Sequence, residues 1–157
     1  MAGSSFADDL RGDAIANVIL GGQGIDNIFG NSGDDFLRGG LGSDTLRGQA
    51  GNDSFNYFAR NEAGDTIADF SSAVPGNNDR FTFANGAFGA LGVGALAADE
   101  FQSSAAAAAA TSTIRFFYET DTRMLWFDPD GSFATAAIRI ATVQAGATVT
   151  SADIMIV

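Results

Sequence analysis

Apolar residues recur at every ninth position through the first third of the chain: Leu10, Ile19, Ile28, Leu37, Leu46 and Phe55. Each stands eighth in a unit that opens on glycine (Gly3, Gly12, Gly21, Gly30, Gly39, Gly48) and carries a carboxylate or amide at its sixth position (Asp8, Asn17, Asp26, Asp35, Asp44, Asp53). Six such units run unbroken from Gly3 to Asn56. The three residues after each sixth position read as a short extended segment whose side chains alternate in direction. With the middle one pointing inward, Leu37, Leu46 and their equivalents stack into an apolar core. The hexapeptide before it is a turn, because glycine takes positive φ without steric cost. One unit therefore supplies a turn and a strand, two units complete a coil of eighteen residues, and like units stack two repeats apart.

Beyond the repeats the apolar spacing shortens to two, the period of half-buried strands. Strands are predicted at Phe55–Phe58, Asp65–Phe70 and Asp79–Phe83, with a loop over Ala73–Asn78, which contains proline and glycine. Asn85–Thr111 is rich in glycine and alanine; a loop is expected, with a short helix inside Ala97–Ala110 on propensity alone. Thr113–Glu119 and Arg123–Phe127 flank the hairpin-length gap Thr120-Asp121-Thr122, Asp128-Pro129-Asp130-Gly131 is a turn, and Ala134–Val143 and Ala152–Val157 are further strands. The chain divides on this reading into a repeat tract, 3–56, and a β-rich capping region, 57–157, expected as a small antiparallel sheet that covers the open end of the coil.

Charge narrows the chemistry. The net charge of −11 disfavours nucleic acid and anionic membrane surfaces and suits a binder of divalent cations. No cysteine and no histidine occur, which removes disulfides, thiolate metal sites and the imidazole on which most hydrolytic triads and catalytic zinc centres rely; a hydrolase is disfavoured. No run is long enough to span a membrane, and the N-terminus lacks the basic and apolar regions of a signal peptide. Calcium takes 6–8 oxygen ligands from carboxylates and carbonyls in tolerant geometry, which a glycine turn ending in aspartate can offer. Stacking puts Asp26 above Asp44 on one edge and Asp35 above Asp53 on the other, with one ion between each pair of turns. Asp8 with Asp26 makes a third site; Asn17 with Asp35 is weaker, since an amide carries no charge. Carboxylates stacked about 4.8 Å apart repel by roughly 1 kcal/mol in water and about 3–4 at an effective dielectric near 20, so the tract is expected to be disordered without metal.

The units GGQGIDNIF, GNSGDDFLR, GGLGSDTLR and GQAGNDSFN resemble the repeats-in-toxin (RTX) family, whose right-handed parallel β-roll binds calcium and whose members leave Gram-negative cells through a type I exporter. Phe55-x-Tyr57, Asp65-x-Ile67-x-Asp69-Phe70 and Asp79-Arg80-Phe81 resemble the segment after the roll in serralysin-type proteases and in calcium-binding modules of mannuronan C-5 epimerases. Leu125-Trp126-Phe127-Asp128-x-Asp130-Gly131 is similar to a hairpin near the ends of such proteins, and Asp153-Ile154-Met155-Ile156-Val157 to the C-terminus read by the exporter. The resemblance implies calcium ligands from turn positions one to four and the position-six carboxylate: Gly21, Gly22, Gln23, Gly24 with Asp26; Gly30, Asn31, Ser32, Gly33 with Asp35; Gly39, Gly40, Leu41, Gly42 with Asp44; and Gly48, Gln49, Ala50, Gly51 with Asp53. By the same resemblance Glu62 and Asp65 are expected to serve a last site. The protease's zinc domain has no counterpart here.

The expected function is thus a non-enzymatic module that takes up several Ca2+ ions, folds outside the cell and forms the C-terminal part of a type I-secreted protein, with the exporter as its partner. The alternative is a calcium-dependent polysaccharide-binding or adhesive module. Two further features have two readings each: Asp128-Pro129-Asp130-Gly131 as a calcium loop or a plain turn, and Phe116, Phe117, Tyr118, Trp126 and Phe127 as a sugar platform or core, the turn and the core being favoured.

Overall fold

The computed structural model describes residues 1–72, 74–89, 91–105, 113–131 and 137–157. Strands β1 Asp9–Arg11, β2 Val18–Gln23, β3 Asn27–Ser32, β4 Phe36–Leu41, β5 Thr45–Ala50 and β6 Ser54–Tyr57 come from the repeats. They are followed by β7 Asp65–Ile67, β8 Arg80–Phe83, β9 Gly94–Ala95, β10 Phe101–Ser104, β11 Phe116–Glu119, β12 Met124–Phe127, β13 Ile138–Val143 and β14 Ile154–Ile156. Odd and even repeats separate into two sheets, ordered β1-β3-β5-β7-β13-β12-β11-β10 and β2-β4-β6-β8-β14-β9. The architecture is an all-β parallel roll, as the nine-residue pattern requires.

Register follows the repeat. Leu10 pairs with Ile28 and Ile28 with Leu46, and in the other sheet Ile19 pairs with Leu37 and Leu37 with Phe55. Each offset is eighteen residues, the expected coil. The same columns continue past the repeats, through Leu46–Ile67–Val143 and Phe55–Phe81–Ile154. Every member is buried, so the interior is a ladder of like side chains. Past Phe55 the ladder becomes aromatic: Phe70 stacks on Phe81 at 4.8 Å, and Phe83 meets Phe88 and Phe116 at 4.9 and 4.7 Å.

The C-terminal strands join the roll edge to edge. β13 pairs parallel to β7 and β14 parallel to β8; antiparallel pairing is confined to β11–β12–β13 and to β14–β9, while β10 runs parallel to β11. The expected antiparallel cap is present as β11–β12–β13, and the tail joins the roll through parallel pairs. The physical reason lies in β7 and β8, whose outer edges present free N–H and C=O groups that the returning strands satisfy. β6 itself runs across the 56/57 boundary drawn from sequence.

Within Ala97–Ala110 the described residues carry no α-helix. Ala98–Glu100 is a single 3-10 turn and Phe101–Ser104 is β10; 106–110 lie outside the described residues, as do Ala73 of the expected loop and 134–136 of the strand expected from Ala134. The hairpin forms with Phe116 opposite Phe127 and Glu119 opposite Met124, its turn closed by Arg123 at φ 62°. Phe116, Tyr118 and Phe127 belong to the buried core, while Phe117 is buried on the other face of the hairpin beneath a half-buried Trp126 that stacks on it at 5.9 Å. Asp128 accepts the Asp130 N–H at 3.2 Å, the hydrogen bond of a plain Asx turn.

Candidate metal centre

Pairing at eighteen-residue offsets superimposes the sixth position of every second unit. On one edge of the roll each Oδ1 accepts the backbone N–H of the acidic residue one coil earlier: Asp8 to Asp26 at 2.9 Å, Asp26 to Asp44 at 2.8 Å, Asp44 to Asp65 at 2.9 Å. On the other edge Asn17 donates to Asp35 at 2.7 Å, Asp35 to Asp53 at 2.9 Å and Asp53 to Asp79 at 3.0 Å. Asp26, Asp35, Asp44, Asp53, Asp65 and Asp79 are all buried.

One oxygen of each of these carboxylates is thereby satisfied, and in all but Asp79, whose Oδ2 accepts the Ser71 N–H at 2.8 Å, the other is not. Oδ2 of Asp26, Asp35, Asp44, Asp53 and Asp65 is buried without a hydrogen-bond partner. An ionised oxygen in that state costs several kcal/mol unless a positive charge meets it. The first glycine of each repeat opens the space for one. A Cβ on Gly21 would lie 2.4 Å from both Asp26 Oδ2 and the Gly39 carbonyl oxygen, and one on Gly30 would lie 2.2 Å from Asp35 Oδ2 and 2.8 Å from the Gly48 carbonyl oxygen. A carboxylate oxygen of one coil and a carbonyl of the next thus border the same small space. Among the described residues no three carboxylates gather at one point, so a cation here must draw most of its ligands from the turn carbonyls. That donor set is calcium's.

Burial raises the pKa of Asp26, Asp35 and Asp44, with neighbouring carboxylates adding to the rise. The same cause, strengthening along the columns, pushes Asp53 up to about 6, Asp79 to about 7 and Asp65 to about 8. Each is partly offset by the N–H bond to its Oδ1. Buried beside Asp65, the Tyr57 hydroxyl is held well above its ordinary range by desolvation. The columns are a stack of negative sites that the fold alone leaves uncompensated.

Residues 2–36 and 20–55 match the family model of the RTX calcium-binding nonapeptide repeat. The first third of the chain is an RTX β-roll. No curated protein matches the sequence. Among solved structures the chain is similar to the solution structure of the AlgE6R3 subunit from the Azotobacter vinelandii mannuronan C5-epimerase. The two share 26% identity over 97% of this chain and 80% of that one, with a TM-score of 0.61. The RTX β-roll is a calcium-binding structural module, and the buried Oδ2 atoms are this chain's candidate ligands.

The RTX β-roll places the expected residues unequally. Asp26, Asp35, Asp44, Asp53 and Asp65 stand in the columns with a free oxygen. Position-two residues Gly22, Asn31, Gly40 and Gln49 and position-four glycines Gly24, Gly33, Gly42 and Gly51 all take positive φ, which bends the turns sharply. At the third position, the Leu41 and Ala50 carbonyls accept from Gly24 and Gly33 of the preceding coil, both at 2.9 Å. Glu62 does not come to the last site as a free donor. It is ion-paired with Arg38 and accepts the Phe58 N–H at 2.8 Å, so its carboxylate oxygens already have partners. Asp8 and Asn17 belong to the columns, but their side chains are engaged within their own turns.

Two acidic residues that the fixed nine-residue register does not pick out, Asp79 and Asp69, also meet the turns. Asp79 closes the second column, and Asp69 accepts the N–H groups of Gly48 and Gln49 at 3.1 and 3.0 Å. The usable signal was the triad of acidic residue, spacer and apolar residue: Asp65-Thr66-Ile67 and Asp79-Arg80-Phe81 repeat Asp44-Thr45-Leu46 and Asp53-Ser54-Phe55. Inserted loops stretch the offset from eighteen to 21 and 26 residues and hide it from a fixed register.

Proposed function

We propose that this chain is a calcium-triggered folding module of an exported protein: unfolded where free calcium is low, it passes through a type I exporter, and metal uptake outside the cell closes the roll. The observation that supports this most is the set of five buried carboxylate oxygens without partners, a fold that lacks its counter-charges until a cation arrives. The terminal Asp153-Ile154-Met155-Ile156-Val157 is the segment assigned to the exporter. In the folded protein Ile154 and Ile156 are buried in β14, and Asp153 accepts from the Thr150 N–H and hydroxyl, both at 2.8 Å; the exporter would read it before folding. Among the described residues no helix is long and apolar enough to cross a membrane. Far-ultraviolet circular dichroism during a calcium titration from chelator tests the reading. Gain of β signal up to millimolar calcium is expected; a flat trace overturns it.

A second reading, a calcium-dependent grip on an extracellular polysaccharide, is favoured by one surface feature. Phe29 lies between two guanidinium groups, Arg11 at 4.1 Å and Arg47 at 5.1 Å from its ring centre, on the outer face of the β1-β3-β5 sheet. Cations flanking an apolar ring at regular strand spacing suit an acidic sugar chain. The similar structure is a subunit of a mannuronan epimerase, which points the same way. Binding to uronate oligosaccharides with and without calcium, compared between the native chain and Arg47→Ala, separates adhesion from folding.

A further inference from the structure

The two turns of the first coil are built alike and unlike all the others. In residues 3–8 the Ser4 N–H and hydroxyl donate to Asp8 Oδ2 at 2.7 and 2.9 Å, and the Phe6 N–H donates to the Ser4 hydroxyl at 3.1 Å. In residues 12–17 the Asp13 N–H donates to Asn17 Oδ1 at 2.7 Å, the Asn17 amide donates to Asp13 Oδ1 at 3.0 Å, and the Ile15 N–H donates to the same oxygen at 3.1 Å. Position two thus caps position four, and position six caps position two, in both turns.

The backbone differs as well. Positions two and four take positive φ in each interior turn, whereas Ser4, Phe6, Asp13 and Ile15 do not. Where Gly24 and Gly33 now pack, a side chain would collide with Phe6 and with Ile15 and Ala16 of the coil before, at 2.5–2.6 Å. Side-chain oxygens that are orphaned and buried in the interior columns are here occupied, at the exposed end of the roll.

We propose that residues 3–17 form a metal-independent capping coil, in which side-chain hydrogen bonds replace the ion that every interior turn requires. This rests on the calcium reading above and refines it. Ions occupy the gaps between interior turns, Asp26/Asp44, Asp44/Asp65, Asp35/Asp53 and Asp53/Asp79, and leave the gaps beneath Asp8 and Asn17 without metal. Asp8 has its Oδ2 committed to two donors, and Asn17 contributes no charge. Neither turn has the alternating left-handed positions that distinguish the interior ones. The role of the coil is to end the ion columns while keeping the first strands of both sheets in place.

The test counts ions per chain by native mass spectrometry of the calcium-loaded protein, with circular dichroism to confirm each variant's fold. Asp8→Asn is expected to leave the number unchanged, and Asp44→Asn to lower it. The double variant Ser4→Gly with Phe6→Gly, which gives the first turn the interior pattern Gly-Gly-x-Gly-x-Asp, is expected to gain one ion. Loss of an ion in Asp8→Asn overturns the capping assignment while leaving the calcium reading intact, as does an unchanged count in the double variant. If the native chain retains no calcium, or Asp44→Asn loses none, the calcium reading itself falls.

Discussion

Removing the metal should reverse the sign of the protein's pH dependence. In the metal-free fold Asp53, Asp79 and Asp65 have carboxyl pKa values of about 6, 7 and 8 against an ordinary 3.8, chiefly because they are buried. A carboxyl raised in this way contributes its stability only while protonated: the contribution is complete below about pH 4 and is lost as pH rises through 6 to 8. At 1.36 kcal/mol per pH unit, the loss by pH 7 is about 3 kcal/mol for Asp53 and about 4 for each of Asp65 and Asp79. Solvent reaching the turns lowers these figures, so on the order of 10 kcal/mol is an upper bound. Even half of that rivals the whole stability of a typical domain, about 5–15 kcal/mol, so the chelated chain is expected to be unfolded at pH 7.5 and to regain β structure toward pH 4.5. Bound calcium needs the same carboxylates ionised, so the loaded protein should instead lose stability on acidification. Circular dichroism and urea midpoints between pH 4 and 8, in chelator and in excess calcium, give two slopes of opposite sign. A chelated protein that grows more stable with rising pH would refute the reasoning.

Two packing predictions follow from the same geometry. At Gly42, φ is 150° and an added Cβ would stand 1.7 Å from the Gly24 carbonyl oxygen. Gly42→Ala is expected to raise the calcium midpoint of folding severalfold, through about 1–2 kcal/mol of backbone strain and a forced separation of coils. Gly92→Ala, in open space without a positive φ, should leave that midpoint unchanged. Phe81 is buried between Phe55 and Ile154 and stacks on Phe70. Phe81→Ala should cost about 3–5 kcal/mol in urea unfolding of the calcium-loaded protein, and a loss below about 1 kcal/mol would show that the aromatic ladder is not a single core.

The coil was legible because one physical constraint repeats in it: an inward apolar residue two places after the carboxylate, in a fixed frame. Register, burial of Leu37, Leu46 and Phe55, and the stacking of Asp26 on Asp44 all follow from that frame. Past Asn56 the constraint persists but the frame does not. Asp65 and Asp79 sit in the columns after insertions that no period could anticipate, and Asp69 acts through two turn amides that belong to a different coil. The pairing of β13 with β7 and of β14 with β8 left no trace in composition, since Ile140, Val143, Ile154 and Ile156 would read alike in a parallel or an antiparallel neighbour. Occupancy of the position-six side chains in the first coil was likewise hidden: Asp8 matches the pattern as well as Asp26 does. The discriminating letters are at positions two and four, where Ser4, Phe6, Asp13 and Ile15 stand in place of residues that accept positive φ.

The carboxylate columns and the C-terminal strands are mechanically one system. Asp65 ends the first column and is also the residue of β7 that pairs with Ala141 of β13. Asp79 ends the second column immediately before β8, whose Phe81 pairs with Ile154 of β14. Loss of the counter-charge at either column end therefore loosens the strand on which a C-terminal strand is laid. The reverse also holds: without β13 and β14, the edges of β7 and β8 are bare, and the last acidic residue of each column loses the packing that fixes it beneath Asp44 or Asp53. Calcium uptake by the roll and closure of the tail are accordingly expected to be cooperative, although only residues 2–55 match the repeat family. The transition that orders the turns is then expected to bury Asp153, Ile154 and Ile156 with them, while Val157 stays exposed.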